Sequence, residues 1–262
     1  MIKIKIRKDI GRKRYTGFAI ASFAAVALVW FIAAESGAVG EIFLPKLGNV
    51  AGYFIESLKD GTLWANTSIS IYRITIGFII AVILGIPIGI LVGTFKGWEA
   101  VVRPLCEFIR YMPVPAFVPL IMVWVGIDES AKITVIFIGT FFQLVLMVAD
   151  DALSVPDDLI NAGYTLGTDT WQTVFKILIP AMMPRLMETL RMMIGWAWTY
   201  LVSAELVAAS SGLGYTILKS QRFLKTDAIF ANILLIGLLG LITDRIFAIV
   251  TKKFFPWADG GR

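Results

Sequence analysis

One polar segment, residues 150–185, interrupts an otherwise strongly apolar chain and limits what the chain can fold into. Apolar runs of the length that a membrane-spanning helix needs lie on both sides of it. The segment itself cannot be placed in lipid, because its acidic and amide side chains would lose their hydration. We therefore expect a protein whose helices cross a membrane and that carries one ordered insert in water.

The overall composition supports a membrane protein and excludes several classes of enzyme. The chain has 262 residues, of which 58% are hydrophobic, and no histidine. Histidine-based catalysis and histidine-rich metal sites are therefore excluded, and the single cysteine, Cys106, forms no internal disulfide. The chain also lacks the glycine-rich phosphate-binding loop that ends in Gly-Lys-Ser or Gly-Lys-Thr. We expect a protein that is not an enzyme and that binds no metal or cofactor itself.

Six apolar runs predict an all-α polytopic membrane protein with about six transmembrane helices. A cleaved signal peptide is the alternative for the first run, whose length favours a retained anchor. The third run is the least regular, because Pro113, Pro115 and Pro119 interrupt its backbone hydrogen bonding. A broken helix of this kind lines a channel more readily than it faces lipid. The predicted spans are 17–34, 68–95, 105–125, 133–149, 190–209 and 228–250.

The distribution of Lys and Arg predicts the orientation of these spans. With the N-terminus in the cytoplasm, fourteen basic residues of the termini and connecting segments lie inside and six lie outside. Both termini and the polar segment are then cytoplasmic. We divide the chain into a basic N-terminus (1–16), a transmembrane domain (17–250) that carries the insert at 150–185, and a C-terminal tail (251–262). Because seven basic residues cluster in the first fourteen positions, they indicate topology and not nucleic-acid binding.

Local signals predict that the polar segment is ordered. Ser154 with Asp157 resembles a capping box that begins a short helix. Gly167 can end that helix in a left-handed conformation, and Asp169 can cap a second helix that Pro180 ends. Two short amphipathic helices joined at a glycine would form a docking surface for a soluble partner.

The motifs of this segment resemble the EAA loop of bacterial ABC importer permeases. The frame Asn161-Ala162-Gly163, Gly167, Ile177 and Pro180 carries the resemblance, with Asn and Gly where the family has Glu and Ala. The resemblance implies that this loop contains the coupling helix that docks in the ATPase subunit. The coupling residues it implies are Asn161, Ala162, Gly163, Tyr164, Gly167, Thr168, Asp169, Trp171 and Pro180.

Further motifs resemble the nitrate, sulfonate and taurine branch of these permeases. They include the prolines of residues 113–120, the Ala204-Glu205-Leu206 and Gly212-Leu213-Gly214 runs, and Pro256-Trp257. The resemblance implies the type I importer architecture in a bacterial inner membrane. The partners it implies are a second copy of the chain, two ATP-binding cassette subunits that hold ATP and Mg²⁺, an extracytoplasmic binding protein and membrane lipid. The substrate it implies is a small anion such as taurine, a sulfonate, nitrate or bicarbonate.

Small residues at every fourth position of the second span predict close helix packing. They are Gly77, Ala81, Gly85, Gly89 and Gly93. The sequence leaves open whether this ridge is a static contact or a pivot between helices.

Polar residues within the apolar runs are the candidates for a translocation path, because such residues face a bundle interior or water. For Arg73, the alternatives are a side chain that reaches the membrane interface and one that faces the pore and attracts an anion. Arg191 can pair with Glu188 one turn away, and Glu205 can hold the outer loop or take part in gating. The candidates are Arg73, Gln143, Arg191, Trp198, Thr199 and Glu205.

Two other classes of function remain open from the sequence. An ion-gradient-driven carrier would use Glu205 or Asp244 as its cation site, and a membrane scaffold would transport nothing. A carrier would transport its substrate without an ATPase, whereas a scaffold would transport nothing even when an ATPase is present.

Overall fold

The computed structural model describes residues 10–257, and within that range the chain is helical, with no strand. The predicted N-terminal and C-terminal segments fall partly on residues 1–9 and 258–262, which lie outside the described residues. The helices are α1 (Arg12–Glu35), α2 (Leu47–Lys59), α3 (Thr62–Thr94), α4 (Lys96–Arg110), α5 (Val114–Val125), α6 (Glu129–Leu153), α7 (Asp157–Thr165), α8 (Thr170–Thr173), α9 (Ile179–Ala208), α10 (Leu213–Arg222) and α11 (Thr226–Phe254).

Four helices are long and apolar enough to cross a membrane, namely α1, α3, α6 and α11. A fifth crossing is added if α4 and α5, which meet at 103°, form one broken span. Helix α9 was predicted as the fifth of six crossings and has 30 residues, but it carries Glu188, Arg191 and Glu205. Within the described residues, length and apolarity alone therefore give four or five spans and not six.

Helix directions show how the chain passes back and forth through the bundle. Helices α3 and α6 pack in parallel, since Gly77 at the middle of α3 lies against Ile136 in the first half of α6, and Gly93 at the end of α3 lies against Ala152 at the end of α6. Parallel neighbours require that the chain return between them, and α4 with α5 make that return. The third predicted span is therefore one passage that is broken between Arg110 and Val114.

The second half of the chain continues this alternation. Helix α9 runs antiparallel to α6, because Thr189 near its start reaches Asp151 and its later residue Tyr200 packs on Gly139. Helix α11 is antiparallel to α9, since Arg191 binds Asp244, and Trp198, further along α9, lies beside Gly240. α9 thus returns through the bundle although its charges set it apart from the purely apolar spans.

The small-residue ridge of α3 forms its contact with α6. A Cβ atom added to Gly89 would lie 2.6 Å from Cβ of Val148, and one added to Gly93 would lie 2.8 Å from Cβ of Ala152. Ala81 is fully buried in the same face. Larger side chains would therefore separate the two helices, as the spacing predicts.

The segment after α6 is ordered, but two of its predicted boundaries are wrong. The Ser154 hydroxyl donates to the carbonyl oxygen of Asp151 and does not cap α7, which follows Pro156. Pro180 does not end a helix, since α8 continues through a π-helical stretch, Val174–Leu178, into α9. The longer π-type bonds change the hydrogen-bond register just before the proline, which has no N–H to donate.

Candidate functional site

A buried ion network joins α3, α6 and α9 at one end of the bundle. The Arg73 side chain has no solvent exposure, and its N–H groups donate to both carboxylate oxygens of Glu129, at 2.6 and 2.8 Å. They also donate to Glu205 Oε1 at 2.8 Å and to the carbonyl and hydroxyl oxygens of Ser211 at 2.7 and 3.2 Å. All five N–H groups of the guanidinium therefore have an acceptor.

Glu205 connects this network to the loop between α9 and α10. Its Oε1 also accepts from the Ser70 hydroxyl at 2.7 Å, and its Oε2 accepts from the backbone N–H of Gly214 at 2.8 Å. The Ser70 oxygen in turn accepts from the backbone N–H of Leu213 at 3.0 Å. Gly212 has φ +114° and lies so close to Glu205 that a Cβ would collide with the carboxylate. The loop is thus fixed by backbone bonds to buried side chains.

These contacts show where Arg73 and Glu205 are placed. The guanidinium has no solvent exposure, because it is enclosed by two carboxylates and the 211–214 loop. In this conformation Arg73 also has no free N–H for a transported anion. Glu205 accepts a backbone hydrogen bond from the loop, which is the first of the two alternatives left open by the sequence.

A second ion pair joins α9 and α11 further along the bundle. Arg191 donates to both carboxylate oxygens of Asp244, at 2.6 and 2.9 Å, and only weakly contacts Glu188 at 3.5 Å. The sequence pointed to Glu188 because it is close in the chain, and it missed Asp244 as the main partner. Trp198 is also buried, and its indole N–H donates to the Thr243 hydroxyl at 3.1 Å. Arg191 and Trp198 therefore link α9 to α11.

The remaining candidates, Gln143 and Thr199, come together in a polar cavity at the break between α4 and α5. The cavity has a volume of about 340 Å³ and is bounded by α4, α5, α6 and α9. Arg110, which the sequence reasoning missed, lies at its edge, where it contacts Gln143 Oε1 at 3.5 Å and the Tyr111 hydroxyl at 3.0 Å. The signal in the sequence that could have identified Arg110 is a charged residue within an apolar run, three residues before the first proline of that run. The polar residues of the lining are Arg110, Tyr111, Gln143, Thr199, Tyr200 and Ser203.

A second cavity lies between α9 and α11 and is mainly apolar. Its volume is about 520 Å³, and it shares two lining residues, Thr199 and Ser203, with the polar cavity. The α9 face that carries Thr199 is therefore flanked by open space on both sides.

The insert between α6 and α9 presents large apolar side chains on an ordered frame. Leu166 is 86% exposed, Phe175 is 63% exposed and Trp171 is 55% exposed. Gly167 adopts φ +86°, and the Asp169 carboxylate caps α8 by accepting from the Gln172 N–H at 2.8 Å. The turn is therefore built as the glycine and the aspartate predict.

Contacts beneath this surface hold the insert to the bundle. Gly163 packs so closely on the Ile177 side chain that no Cβ would fit between them, and the Thr168 and Thr173 hydroxyls are 2.8 Å apart. The Trp171 ring lies 5.8 Å from that of Phe95, at the junction of α3 and α4. Among the other predicted coupling residues, Asn161, Ala162 and Tyr164 are exposed on α7, and Pro180 lies in the first turn of α9.

Comparisons with known proteins agree with this architecture. A family model described as the binding-protein-dependent transport system inner membrane component matches residues 85–256. An aliphatic sulfonates transport permease from Bacillus subtilis is 33% identical over 97% of this chain and 92% of its own length. The taurine transport system permease of Escherichia coli is 30% identical over 93% of this chain and 90% of its own length.

A solved structure gives the same result for the fold. One chain of the inward-facing MetNI methionine ABC transporter superposes with a TM-score of 0.61 at 19% identity, covering 73% of this chain and 94% of that one. At that identity the likeness concerns the fold alone. The family match and the long relatives together assign the function: the chain belongs to the binding-protein-dependent inner membrane components, and it is a permease subunit of an ABC importer, working with an ATPase and a substrate-binding protein.

Proposed function

We propose that two copies of this chain form the pore of an importer for small anions, and that the 150–185 insert couples the pore to the ATPase. The observation that carries this proposal is the ordered insert, whose exposed apolar surface lies outside the predicted spans. Exposed clusters of this kind indicate a contact with another protein. The ATPase subunits bind ATP and Mg²⁺, whereas this chain binds no cofactor.

The insert is connected to the bundle in a way that suits the transmission of force. Trp171 rests on Phe95, while Val174 and Leu178 of the π-helical stretch are buried in the core shared by α3, α6 and α9. A displacement of α8 must therefore move the α3–α4 junction and the start of α9 with it. Closure of the ATPase dimer would then rock the helices between inward-open and outward-open arrangements.

The proposed orientation places the insert and both termini in the cytoplasm. The excess of basic residues on that side supports it. The contact of Trp171 with Phe95 also supports it, because it places the α3–α4 junction, with Lys96, on the same side as the insert. The opposite side, which holds the 211–214 loop, then faces the extracytoplasmic binding protein.

The proposed substrate class is a small oxyanion or organic anion, with taurine and other sulfonates first and nitrate and bicarbonate as related alternatives. The names of the relatives from Bacillus subtilis and Escherichia coli support sulfonates. The binding protein then selects the particular compound, and the pore admits small anions of this class.

The test uses Leu166→Asp, because this side chain is 86% exposed and its loss leaves the core intact. Burial of a leucine contributes roughly 1.5–3 kcal/mol, so a charge at this position should weaken ATPase binding by about tenfold or more. Copurification of the ATPase and ATP-driven taurine uptake into proteoliposomes should both fall. Phe223→Asp, at a 69% exposed apolar position in the α10–α11 connection, is the control and should leave ATPase binding unchanged.

Three results would contradict the proposal. Normal ATPase copurification and uptake in Leu166→Asp would show that the insert is not the coupling surface. Uptake by the wild-type chain without any ATPase would favour the carrier, with Glu205 or Asp244 as cation site. An assembled complex that hydrolyses ATP and transports no taurine, sulfonate, nitrate or bicarbonate would refute the substrate class.

A further inference from the structure

Arg110 differs from the other arginines of helices α3 to α9 in its partners. Arg73, Arg103, Arg185 and Arg191 each lie within 3.0 Å of a carboxylate oxygen. Among the described residues, Arg110 has no carboxylate within 4.0 Å, and its acceptors are the neutral oxygens of Gln143 and Tyr111. Among the arginines of helices α3 to α9, Arg110 is therefore the one whose positive charge has no nearby carboxylate.

Arg110 lies at a position in the bundle where an unpaired positive charge indicates a function. It is the last residue of α4, at the point where the third passage breaks, and it lines the polar cavity of about 340 Å³. A cation in a transmembrane passage is costly unless it faces water or a counter-charge, so such residues mark ion and substrate pathways. Arg110 is exposed, and among the described residues no carboxylate within 4.0 Å supplies a counter-charge.

The rest of the cavity offers what a small anion needs besides a cation. Gln143, Thr199, Tyr200 and Ser203 line it, and their amide and hydroxyl groups are of the kind that donates hydrogen bonds, although the Ser203 hydroxyl also contacts the Thr199 carbonyl oxygen at 3.4 Å. A guanidinium binds two oxygens of an oxyanion side by side, which suits a sulfonate, nitrate or bicarbonate. The volume lies at the lower end of the range for small-ligand pockets, which fits a small solute.

We propose that this cavity is an anion-binding station on the translocation path, with Arg110 as its fixed positive charge. The inference rests on the proposed function, and it deepens that function by naming where the permease contacts the substrate. Arg73 cannot take this part, because all its N–H groups are occupied. A single cation among neutral donors also binds weakly enough to release the anion, as conduction requires.

The test uses the complete assembly with its ATPase and binding protein in proteoliposomes. Uptake of ethanesulfonate, taurine and bicarbonate is measured beside ATP hydrolysis stimulated by the binding protein. Loss of a hydrogen bond to a charged group should reduce uptake in Arg110→Gln by about tenfold or more, while Arg110→Lys keeps a larger part of it. Stimulated ATP hydrolysis should stay within about twofold of wild type for both, since that step does not need the cavity charge.

The matched control is Arg14→Gln, which removes an exposed arginine near the start of α1 and should change neither quantity. If Arg110→Gln does not assemble, a charge-rescue experiment tests the role of the positive charge after assembly. In a Cys106→Ala background, Arg110→Cys is modified after assembly with a thiol reagent that adds an ethylammonium group or with one that adds a neutral methyl group. The cationic group should restore uptake, and the methyl group should not.

The outcomes separate the two proposals. Wild-type uptake rates in Arg110→Gln, or equal uptake with the cationic and the methyl reagents, would overturn the anion station and leave the importer function standing. If the wild-type assembly hydrolyses ATP and moves neither these three anions nor nitrate, the proposed substrate class fails, and the station fails with it.

Discussion

Glu205 should contribute more to the stability of this protein than any surface ion pair, and Glu205→Ala measures that difference. The substitution removes acceptors from Arg73, from the Ser70 hydroxyl and from the Gly214 N–H, all of which are buried. Removal of one partner from a buried ion pair costs about 3–5 kcal/mol, because the other charge stays buried. Glu129 still binds Arg73, so we expect the lower end of this range.

The assay is thermal unfolding of the purified complex in lipid nanodiscs, with Glu41→Ala as the control. The Glu41 pair with Lys46 is 3.6 Å long, and the side chains are 63% and 40% exposed. Such pairs contribute about 0–1 kcal/mol, so the control should unfold near the wild-type temperature. If both variants unfold at the same temperature, the buried network does not stabilise the fold as its geometry indicates.

A double variant tests the reasoning more closely. Arg73→Met with Glu205→Leu removes both buried charges and replaces them with apolar side chains of similar length. Apolar replacements of buried ion pairs are often neutral, whereas single removals are not. The double variant should therefore lose clearly less stability than the sum of Arg73→Met and Glu205→Leu measured separately. Additive losses would mean that the two charges do not depend on each other.

Two further substitutions test close contacts of glycines. Gly89→Leu should destabilise the bundle by about 1–3 kcal/mol or more, because its Cβ would meet Val148 at 2.6 Å. The control is Gly195→Ala, which has no atom within 4 Å of the added Cβ and should be neutral or stabilising by up to about 1 kcal/mol. Equal unfolding temperatures of the two variants would argue against the tight α3–α6 contact. Gly163→Ala should weaken ATPase coupling and uptake, because its Cβ would collide with the Ile177 side chain. The second substitution Ile177→Ala in the same chain removes that side chain and should restore uptake. A fully active Gly163→Ala would show that α7 is free to move away from the π-helical stretch.

The sequence predicted the features that depend on residues close together in the chain. Apolar runs predicted the α3, α6 and α11 spans, the prolines predicted the irregular third passage, and Gly167 with Asp169 predicted the turn of the insert. Each of these signals acts within a few residues, through hydration, a missing N–H or an allowed φ angle. Such effects can be derived without knowing which helices are neighbours.

The partners of the buried charges could not be predicted in the same way. Glu129 is 56 residues from Arg73, and Asp244 is 53 residues from Arg191, so their pairing depends on how the helices assemble. A local pairing rule chose Glu188 for Arg191 and left Arg73 without a partner. Pro180 shows the same limit, because the helix continues past it once the π-helical stretch has changed the register of the bonds.

The parallel contact of α3 and α6 has a consequence for how the pore can change shape. The two backbones approach at Gly77, Gly85, Gly89 and Gly93, where side-chain atoms leave no room for sliding. Close-packed surfaces of this kind tend to move as a unit. We therefore expect the alternate states of the importer to differ in how the other helices are arranged around the α3–α6 pair, with the bend of 103° between α4 and α5 as the candidate hinge.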